Sequence, residues 1–215
     1  MKIKICGMKY PENIQAVADL YPDYLGFIFY PKSKRFVLGA HQQQFSEYIF
    51  NADLRVQKVG VFVNETIQTI IRVATEYDIQ IIQLHGDESP EFCEDLQLLG
   101  FQVIKAFGID AYFDFSILDA YEDACSFFLF DTKSKEYGGT GTHFDWLLLN
   151  QYTLSKPIFL SGGLEIKDIS IIQDLAKVIP IHALDFNSKL EIEPALKDIE
   201  KCSALISLCR NVTMK

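Results

Sequence analysis

The run Lys2-Ile3-Lys4-Ile5-Cys6 opens the chain and alternates between isoleucine and polar or small side chains. The run Gln80-Ile81-Ile82-Gln83-Leu84 also mixes glutamine with aliphatic residues. A strand of an open parallel sheet is buried on both faces and usually reads as uninterrupted Val, Ile and Leu. Polar side chains inside a closed parallel barrel are common near its C-terminal rim, because active sites form there. The alternation therefore favours a barrel over an open sheet.

Short β-rich apolar runs of this kind recur along the whole chain, with starts separated by about 26 residues, the length of one βα unit. Helix-like stretches with apolar residues at a 3.6-residue spacing lie between them, which predicts a parallel sheet covered by helices. Eight such units predict the fold class α/β, with residues 1–215 forming a single (β/α)8 TIM-barrel catalytic domain. The predicted strands are Lys2–Cys6, Tyr24–Phe29, Lys58–Val63, Gln80–Leu84, Gln102–Phe107, Phe127–Asp131, Pro157–Ser161 and Ile181–Phe186. The clearest predicted helices are Thr66–Tyr77, Pro90–Leu99, Ile166–Val178 and Pro194–Cys209, and weaker ones are Ala40–Ile49, Ala111–Tyr121 and Phe144–Leu149.

Composition narrows the function classes. The chain has 20 Lys and Arg against 29 Asp and Glu, a net charge of −9, which argues against nonspecific nucleic-acid binding. We expect no membrane association, because no signal peptide and no apolar stretch of transmembrane length is found. Five cysteines without a CxxC pair and four scattered histidines predict neither a disulfide framework nor a metal site. The simplest interpretation is a reduced, cytoplasmic protein that is a monomer or a homodimer.

Polar and glycine-rich segments follow the predicted strands, where a barrel carries its function. Gly138-Gly139-Thr140-Gly141, Gly162-Gly163 and Asn187-Ser188 follow strands six, seven and eight. Glycines can simply form turns, but barrels often bind phosphate at the loops after strands seven and eight. We therefore expect a phosphate site at these three segments, with Gly141, Gly162, Gly163, Asn187 and Ser188 as the candidates.

Four further side chains at strand ends could carry chemistry. Cys6 is either a small buried hydrophobe or a reactive thiol, and Asp131 after Phe127–Phe130 is either a loop cap or a desolvated acid. Arg35 lies in a cationic segment with Lys32 and Lys34, and it is either surface charge or a fork for an anionic substrate. His85 directly follows the fourth predicted strand.

The sequence resembles the phosphoribosylanthranilate isomerase family of tryptophan biosynthesis along its whole length. The matching motifs occur in the family's order and at predicted strand ends. They are Lys4-Ile5-Cys6-Gly7-Met8, Leu25-Gly26-Phe27-Ile28-Phe29, Ser33-Lys34-Arg35-Phe36-Val37, Gln83-Leu84-His85-Gly86, Asp131 with Gly138-Gly139-Thr140-Gly141, Phe144-Asp145-Trp146 and Leu160-Ser161-Gly162-Gly163-Leu164. The resemblance implies an Amadori rearrangement of N-(5-phosphoribosyl)anthranilate to 1-(2-carboxyphenylamino)-1-deoxyribulose 5-phosphate. Such proton transfers need no cofactor and no metal.

The resemblance also implies roles for individual residues. Asp131 matches the general acid and Cys6 the general base, whose thiolate a nearby positive potential favours. Arg35 matches the residue that binds the anthranilate carboxylate, and His85 is expected near the substrate. Asp185 ends strand eight as in the family and could be orienting or structural. Many family members carry Ser-Ser-Gly-Val-Glu where this chain has Asn187-Ser188-Lys189-Leu190-Glu191, so Lys189 replaces a glycine of the phosphate loop.

Three alternatives remain open from the sequence. Indoleglycerol-phosphate synthase would need a catalytic lysine at a strand end, for which Lys105 is the candidate. A pentose-phosphate epimerase would need a metal site with paired acids and histidines. A noncatalytic phosphosugar-binding barrel would keep the glycine loops and lose the acid or the base, whereas Cys6 and Asp131 are both present. Fold alone does not choose among them, since barrels host many chemistries.

Overall fold

A computed structural model describes residues 1–39, 42–51, 54–133 and 144–212. Eight parallel strands close into a barrel in the order β1 to β8, and β8 pairs with β1. The strands are β1 Lys2–Cys6, β2 Tyr24–Ile28, β3 Gln57–Phe62, β4 Ile81–Leu84, β5 Gln102–Ile109, β6 Phe127–Thr132, β7 Ile158–Leu160 and β8 Ile181–Phe186. The predicted (β/α)8 TIM barrel is confirmed.

Helices connect the strands on the outside of the barrel. The α-helices are α1 Pro11–Ala18, α2 Gln42–Asn51, α3 Ile67–Glu76, α4 Pro90–Leu98, α5 Ile169–Leu175 and α6 Ile199–Val212. Local sequence fixes two of their starts, since the side chains of Thr66 and Ser89 accept hydrogen bonds from backbone N–H groups in the first turns of α3 and α4. In the described part of the chain, no helix is long and apolar enough to cross a membrane.

Several predicted helices are shorter than expected, and one begins in the wrong place. The weak segments Ala111–Tyr121 and Phe144–Leu149 contain the 3-10 helices Phe115–Tyr121 and Trp146–Gln151, and Ile166–Asp168 precedes α5 in the same way. The expected helix Pro194–Cys209 begins only at Ile199. Residues before it form a hairpin of β9 Glu191–Glu193 and β10 Leu196–Lys197.

Contacts between residues distant in sequence stabilise this hairpin, so the segment does not form a helical turn. The side chain of Asn13 accepts a hydrogen bond from the backbone N–H of Lys197 and donates one to its carbonyl, at 2.8 and 2.9 Å. The backbone N–H of Ala195, whose φ is +75°, donates to the Glu191 carboxylate at 3.1 Å. Helical periodicity does not register such tertiary bonds, and it also gave no prediction of α1.

Alternation along the strands divides the apolar core into two layers. Ile3 and Ile5 point outward into the large cluster between strands and helices, whereas Lys4 and Cys6 point inward. A separate cluster fills the barrel interior. Its Tyr24 and Phe159 rings, on the non-adjacent strands β2 and β7, lie 5.4 Å apart, so this contact crosses the interior. We call this interior cluster the N-terminal plug; it consists of Tyr24, Val59, Ile81, Ile104, Ala106, Leu129, Phe159 and Ala183.

Candidate active site

A cavity of about 610 Å³ opens at the C-terminal end of the barrel, above the N-terminal plug. Its volume lies in the range typical of small-molecule sites. Nine of the ten residues predicted for the site line it, and the tenth, Gly141, lies outside the described residues. The nine are Cys6, Arg35, His85, Asp131, Gly162, Gly163, Asp185, Asn187 and Ser188.

Cys6 is almost fully buried at the end of β1. Gly26 is its register partner on β2, and a Cβ atom there would lie 2.6 Å from the Cys6 Sγ atom, so glycine leaves the space that the thiol occupies. Burial raises the pKa of the Cys6 thiol above its ordinary value, and the Asp185 carboxylate adds to the rise. The Lys4 and Lys197 ammonium groups oppose it, since both stabilise a thiolate.

Lys4 lies two residues before Cys6 and therefore on the same inner face of β1. Its side chain is completely buried, and its Nζ atom lies 2.9 Å from Asp185 Oδ1 on the neighbouring strand β8. Burial alone would lower the pKa of Lys4, but Asp185 and Cys6 raise it above the usual lysine value. A fixed ammonium group thus lies close to the buried thiol.

Asp131 is the second-last residue of β6, with its side chain 13% exposed. Its Oδ1 atom accepts a hydrogen bond from the Thr132 backbone N–H at 2.8 Å, and its Oδ2 atom lies 3.6 Å from His85 Nε2. Gly162 adopts φ +98° beside it, and a side chain there would collide with Thr132. The carboxyl group therefore has one oxygen held by the backbone and the other facing His85.

Arg35 reaches the cavity from the loop after β2, but its guanidinium fork is already paired. Its Nε atom donates to Glu191 Oε1 at 2.8 Å and its Nη2 atom to Oε2 at 2.6 Å. Lys197, which is fully buried, donates to the same Oε1 at 2.8 Å and to Asn187 Oδ1 at 2.8 Å. Arg35 and Lys197 hold the pKa of Glu191 below its usual value, although burial works in the other direction. The three charged side chains carry one net positive charge at the cavity wall.

The loops after β7 and β8 form the expected phosphate-binding side of the cavity. Gly162 and Gly163 both have positive φ values, +98° and +64°, which favour glycine. Lys189 lies in the 3-10 turn Ser188–Leu190, where no left-handed backbone is required, so this turn accommodates its side chain. Its Nζ atom lies 2.9 Å from Glu165 Oε1 and joins the two loops.

Lys105, the candidate lysine of a synthase, and His182, a histidine within β8, lie away from the cavity. Lys105 points to the outside of β5, where its Nζ atom donates to the Gly86 carbonyl at 2.7 Å and lies 3.2 Å from Glu88 Oε2. It therefore does not offer the strand-end amine that an indoleglycerol-phosphate synthase would need. His182 lies at the opposite end of the barrel, bonded to the Tyr24 hydroxyl. Among the described residues, no group of three or more His, Cys, Asp or Glu side chains could hold a metal ion.

Sequence reasoning assigned no role to four residues that build this site: Lys4, Gln83, Glu191 and Lys197. Lys4 and Gln83 carried a detectable signal, because each lies two residues from a predicted site residue on the same strand face. The strand pattern gave no such signal for Glu191 and Lys197, since the hairpin that positions them depends on contacts between residues distant in sequence.

Comparisons with known proteins match this barrel to one family. A family model described as N-(5'phosphoribosyl)anthranilate (PRA) isomerase matches residues 3–207. An N-(5'-phosphoribosyl)anthranilate isomerase of Parabacteroides distasonis is 44% identical over 207 residues, which cover 96% of this chain and 92% of that protein.

Two solved structures of this kind superpose on the barrel. A phosphoribosyl anthranilate isomerase in complex with reduced 1-(o-carboxyphenylamino)-1-deoxyribulose 5-phosphate has a TM-score of 0.80 and 29% identity, covering 98% of this chain and 99% of the other. A monomeric form of the dimeric phosphoribosylanthranilate isomerase of Thermotoga maritima has a TM-score of 0.76 and 29% identity, with the same coverage.

Proposed function

The chain belongs to the N-(5'-phosphoribosyl)anthranilate isomerase family, and from this membership we propose that Cys6 and Asp131 carry out the proton transfers of its reaction. The enzyme catalyses the Amadori rearrangement of N-(5-phosphoribosyl)anthranilate to 1-(2-carboxyphenylamino)-1-deoxyribulose 5-phosphate in tryptophan biosynthesis. The observation that carries the assignment of roles is that a buried thiol and a carboxyl group, on the non-adjacent strands β1 and β6, line one cavity.

In the first step, Asp131 donates its proton to the furanose ring oxygen. The bond from that oxygen to carbon 1 breaks while the nitrogen lone pair forms a Schiff base. His85, 3.6 Å from Asp131 Oδ2, is positioned to stabilise the carboxylate that remains. The apolar strand Phe127–Phe130 beneath Asp131 excludes water from this side of the acid.

In the second step, the Cys6 thiolate removes the proton from carbon 2 of the sugar. The released electron pair forms the double bond between carbons 1 and 2 and neutralises the iminium nitrogen, which gives an enolamine. Carbon 1 then gains a proton and the hydroxyl on carbon 2 loses one, which gives the ketone. Lys4 supports this step, because its ammonium group lowers the cost of the thiolate.

Binding is assigned to the two ends of the cavity. Arg35, oriented by Glu191, would take the anthranilate carboxylate, and the net positive charge of the Arg35–Glu191–Lys197 group suits that anion. Gly162, Gly163, Asn187 and Ser188 would hold the phosphate, and Gly141 is proposed for the same side. Asp185 would act through Lys4 as an orienting residue. A metal or an organic cofactor has no role in these steps.

The proposal extends to surroundings and assembly. Five free cysteines are compatible with a reducing cytoplasm, and we place the enzyme there, as one catalytic domain of residues 1–215. It acts on a small phosphosugar without nucleic acid. A homodimer is supported by the dimeric Thermotoga maritima relative, and a monomer is the alternative.

Two substitutions test the assignment of roles. Cys6→Ser and Asp131→Asn each remove one proton-transfer group while keeping its shape, so kcat should fall by a factor on the order of a thousand. Loss of substrate fluorescence, followed between pH 6 and 9 without added cofactor, measures this, and the affinity for the reduced product analogue should stay within a few fold. Near-normal kcat in either variant would show that its role is wrong.

A further inference from the structure

Gln83 lies on the inner face of β4 and lines the cavity, with only 1% of the residue exposed. The mechanism above does not use it. Its Nε2 atom lies 2.8 Å from Nδ1 of His85, the residue two positions further along the chain. Since His85 Nε2 faces Asp131 Oδ2, a short chain of polar groups runs from Gln83 through His85 to the proposed acid.

The hydrogen bond between Gln83 and His85 determines where the imidazole carries its proton. With the Gln83 amide in this orientation, its nitrogen donates and cannot accept, so His85 Nδ1 is the acceptor. The ring proton then lies on Nε2, the nitrogen 3.6 Å from Asp131. Gln83 thereby selects the tautomer that presents an N–H group to the acid.

The oxygen atom of the Gln83 amide indicates a role in binding a ligand. Gln83 Oε1 is buried, and none of the described residues donates a hydrogen bond to it. A buried carbonyl oxygen without a donor is costly, and such groups in native proteins commonly serve a function. Because Gln83 lines the cavity, a hydroxyl group of a bound substrate can reach Oε1 and supply this donor.

We propose that Gln83 binds and positions the substrate: its Oε1 accepts a hydrogen bond from a sugar hydroxyl, while its Nε2 holds His85 with Nε2–H toward Asp131. This inference rests on the proposed roles of Cys6 and Asp131, and it assigns a new residue to that site. The carboxylate and the phosphate of the substrate are acceptors and cannot satisfy Oε1. The substrate's donors are the sugar hydroxyls and the N–H between the anthranilate ring and the sugar, and the ortho carboxylate of the same ring accepts from this N–H. The sugar hydroxyls remain, and both reacting positions, the ring oxygen and carbon 2, belong to the sugar.

Gln83→Met tests the substrate contact, because methionine has nearly the same shape and makes no comparable hydrogen bond. The Kd of the reduced product analogue should rise about tenfold or more, and kcat should fall about tenfold. Competitive inhibition by inorganic phosphate, which reaches only the phosphate loops, should stay within twofold. Gln80→Met is the matched control, since Gln80 is exposed just before β4, and it should change none of these values.

Two outcomes would overturn the substrate contact. An analogue Kd within twofold of the wild-type value shows that Oε1 makes no such bond. Equal weakening of phosphate inhibition and analogue binding shows a general disturbance of the site. The analogue Kd is measured without turnover, so it separates this inference from the roles of Cys6 and Asp131, which fail only if Cys6→Ser or Asp131→Asn retains kcat.

Nitrogen-15 NMR of the histidine rings tests the positioning role. Wild-type protein should show the Nε2–H tautomer for His85, identified by the signal that is lost in His85→Asn. In Gln83→Glu the new carboxylate can only accept from Nδ1, so the proton should move to Nδ1 and kcat should fall. A wild-type Nδ1–H tautomer, or an unchanged tautomer in Gln83→Glu, would show that Gln83 does not position His85.

Discussion

The two ends of the barrel interior are built by the same strands and contain opposite kinds of side chain. The N-terminal plug is apolar apart from the Tyr24 hydroxyl. The C-terminal mouth, which we define as Cys6, Gln83, His85 and Asp131, is polar or reactive throughout. Strand β6 contributes Leu129 to the plug and Asp131 to the mouth, one inward position apart. One strand can therefore supply a packing side chain at one inward position and a functional side chain at the next inward position, two residues further along.

The Lys4–Asp185 pair separates these two regions. Its two residues are neighbours in register on β1 and β8, between the inward positions of the mouth and those of the plug. A buried ion pair contributes little net stability, because its desolvation offsets much of its attraction. We therefore interpret it as electrostatic support for Cys6, and the comparison predicts that stability and activity respond to different substitutions.

The largest expected effect is on stability at the plug. Phe159 is completely buried and lies 5.4 Å from the rings of Tyr24 and Phe127. Phe159→Ala should lower the free energy of unfolding by about 3–5 kcal/mol, through lost burial and a cavity. Denaturant unfolding measures this loss. The kcat per folded molecule should stay within about twofold, because the rings that pack on Phe159 are those of Tyr24, Phe127 and His182 at the N-terminal end of the barrel.

Asp131→Asn should have the opposite effect to Phe159→Ala, since it should change activity and leave stability nearly unchanged. It should abolish most activity while changing the free energy of unfolding by less than about 1 kcal/mol. If Phe159→Ala lowered kcat strongly at temperatures where it is fully folded, the plug would be coupled to the mouth. The division between the two regions would then be wrong.

A smaller effect is expected from Lys4→Met. Loss of the ammonium group removes the main opposition to burial at Cys6, so the pKa of the thiol should rise further. The base acts as a thiolate, so the limb on which kcat/KM falls with decreasing pH should move to higher pH. At pH 7 we expect kcat/KM to fall by roughly tenfold to a hundredfold. The pH profile of kcat/KM and the rate of alkylation of Cys6 by iodoacetamide both measure the shift in the pKa of the thiol.

Lys105→Met is the matched control, because Lys105 is also buried and paired with a carboxylate, but outside the cavity. Both substitutions should lower stability, and only Lys4→Met should change the pH profile. Identical profiles for the two variants would show that Lys4 is structural and that the cation supporting Cys6 lies elsewhere.

Sequence patterns predicted the mouth well because strand ends are local features. The run Lys2–Cys6 and the run Ile181–Phe186 match β1 and β8 at both ends, and Cys6 and Asp131 were selected from their positions at strand ends. Glycine clusters likewise identified Gly162 and Gly163 beside the cavity. Closure of eight parallel strands brings all these ends together, so a correct fold prediction carried most of the site with it.

The parts of the site and the fold that were not predicted depend on contacts between residues distant in sequence, which local sequence patterns do not show. The fork of Arg35 was correctly expected at the cavity, but its pairing with Glu191 arises from a hairpin 156 residues away. The helix start at Pro194 was wrong because Asn13, 184 residues from Lys197, holds that segment extended. Alternation along a strand separates the inward Lys4 from the outward Lys105, but it does not reveal that both are buried and paired with a carboxylate.

The smallest effect concerns His182 at the plug end of the barrel. Its Nε2 atom lies 2.8 Å from the Tyr24 hydroxyl, and burial lowers its pKa, with Lys2 and the N-terminal amine adding to the shift and Asp23 opposing it. A histidine with a lowered folded pKa binds fewer protons in the folded than in the unfolded protein. Its contribution is therefore fully present above the unfolded pKa of about 6.5 and is lost as the pH falls below it.

Replacing His182 should remove this contribution to the pH dependence of stability without affecting the residues of the mouth. We expect the stability difference between wild type and His182→Gln to change by a small but measurable amount, about 0.5 kcal/mol, between pH 7.5 and 5.5, since His182 is only half-buried and solvent screens its charge. Denaturant unfolding at several pH values measures this difference, and kcat should be unchanged at each pH. A flat stability difference would show that the folded protein does not hold His182 neutral. A changed kcat profile would show that a titrating group at the plug influences the proton transfers at the mouth, and the two ends of the barrel would then form one electrostatic unit.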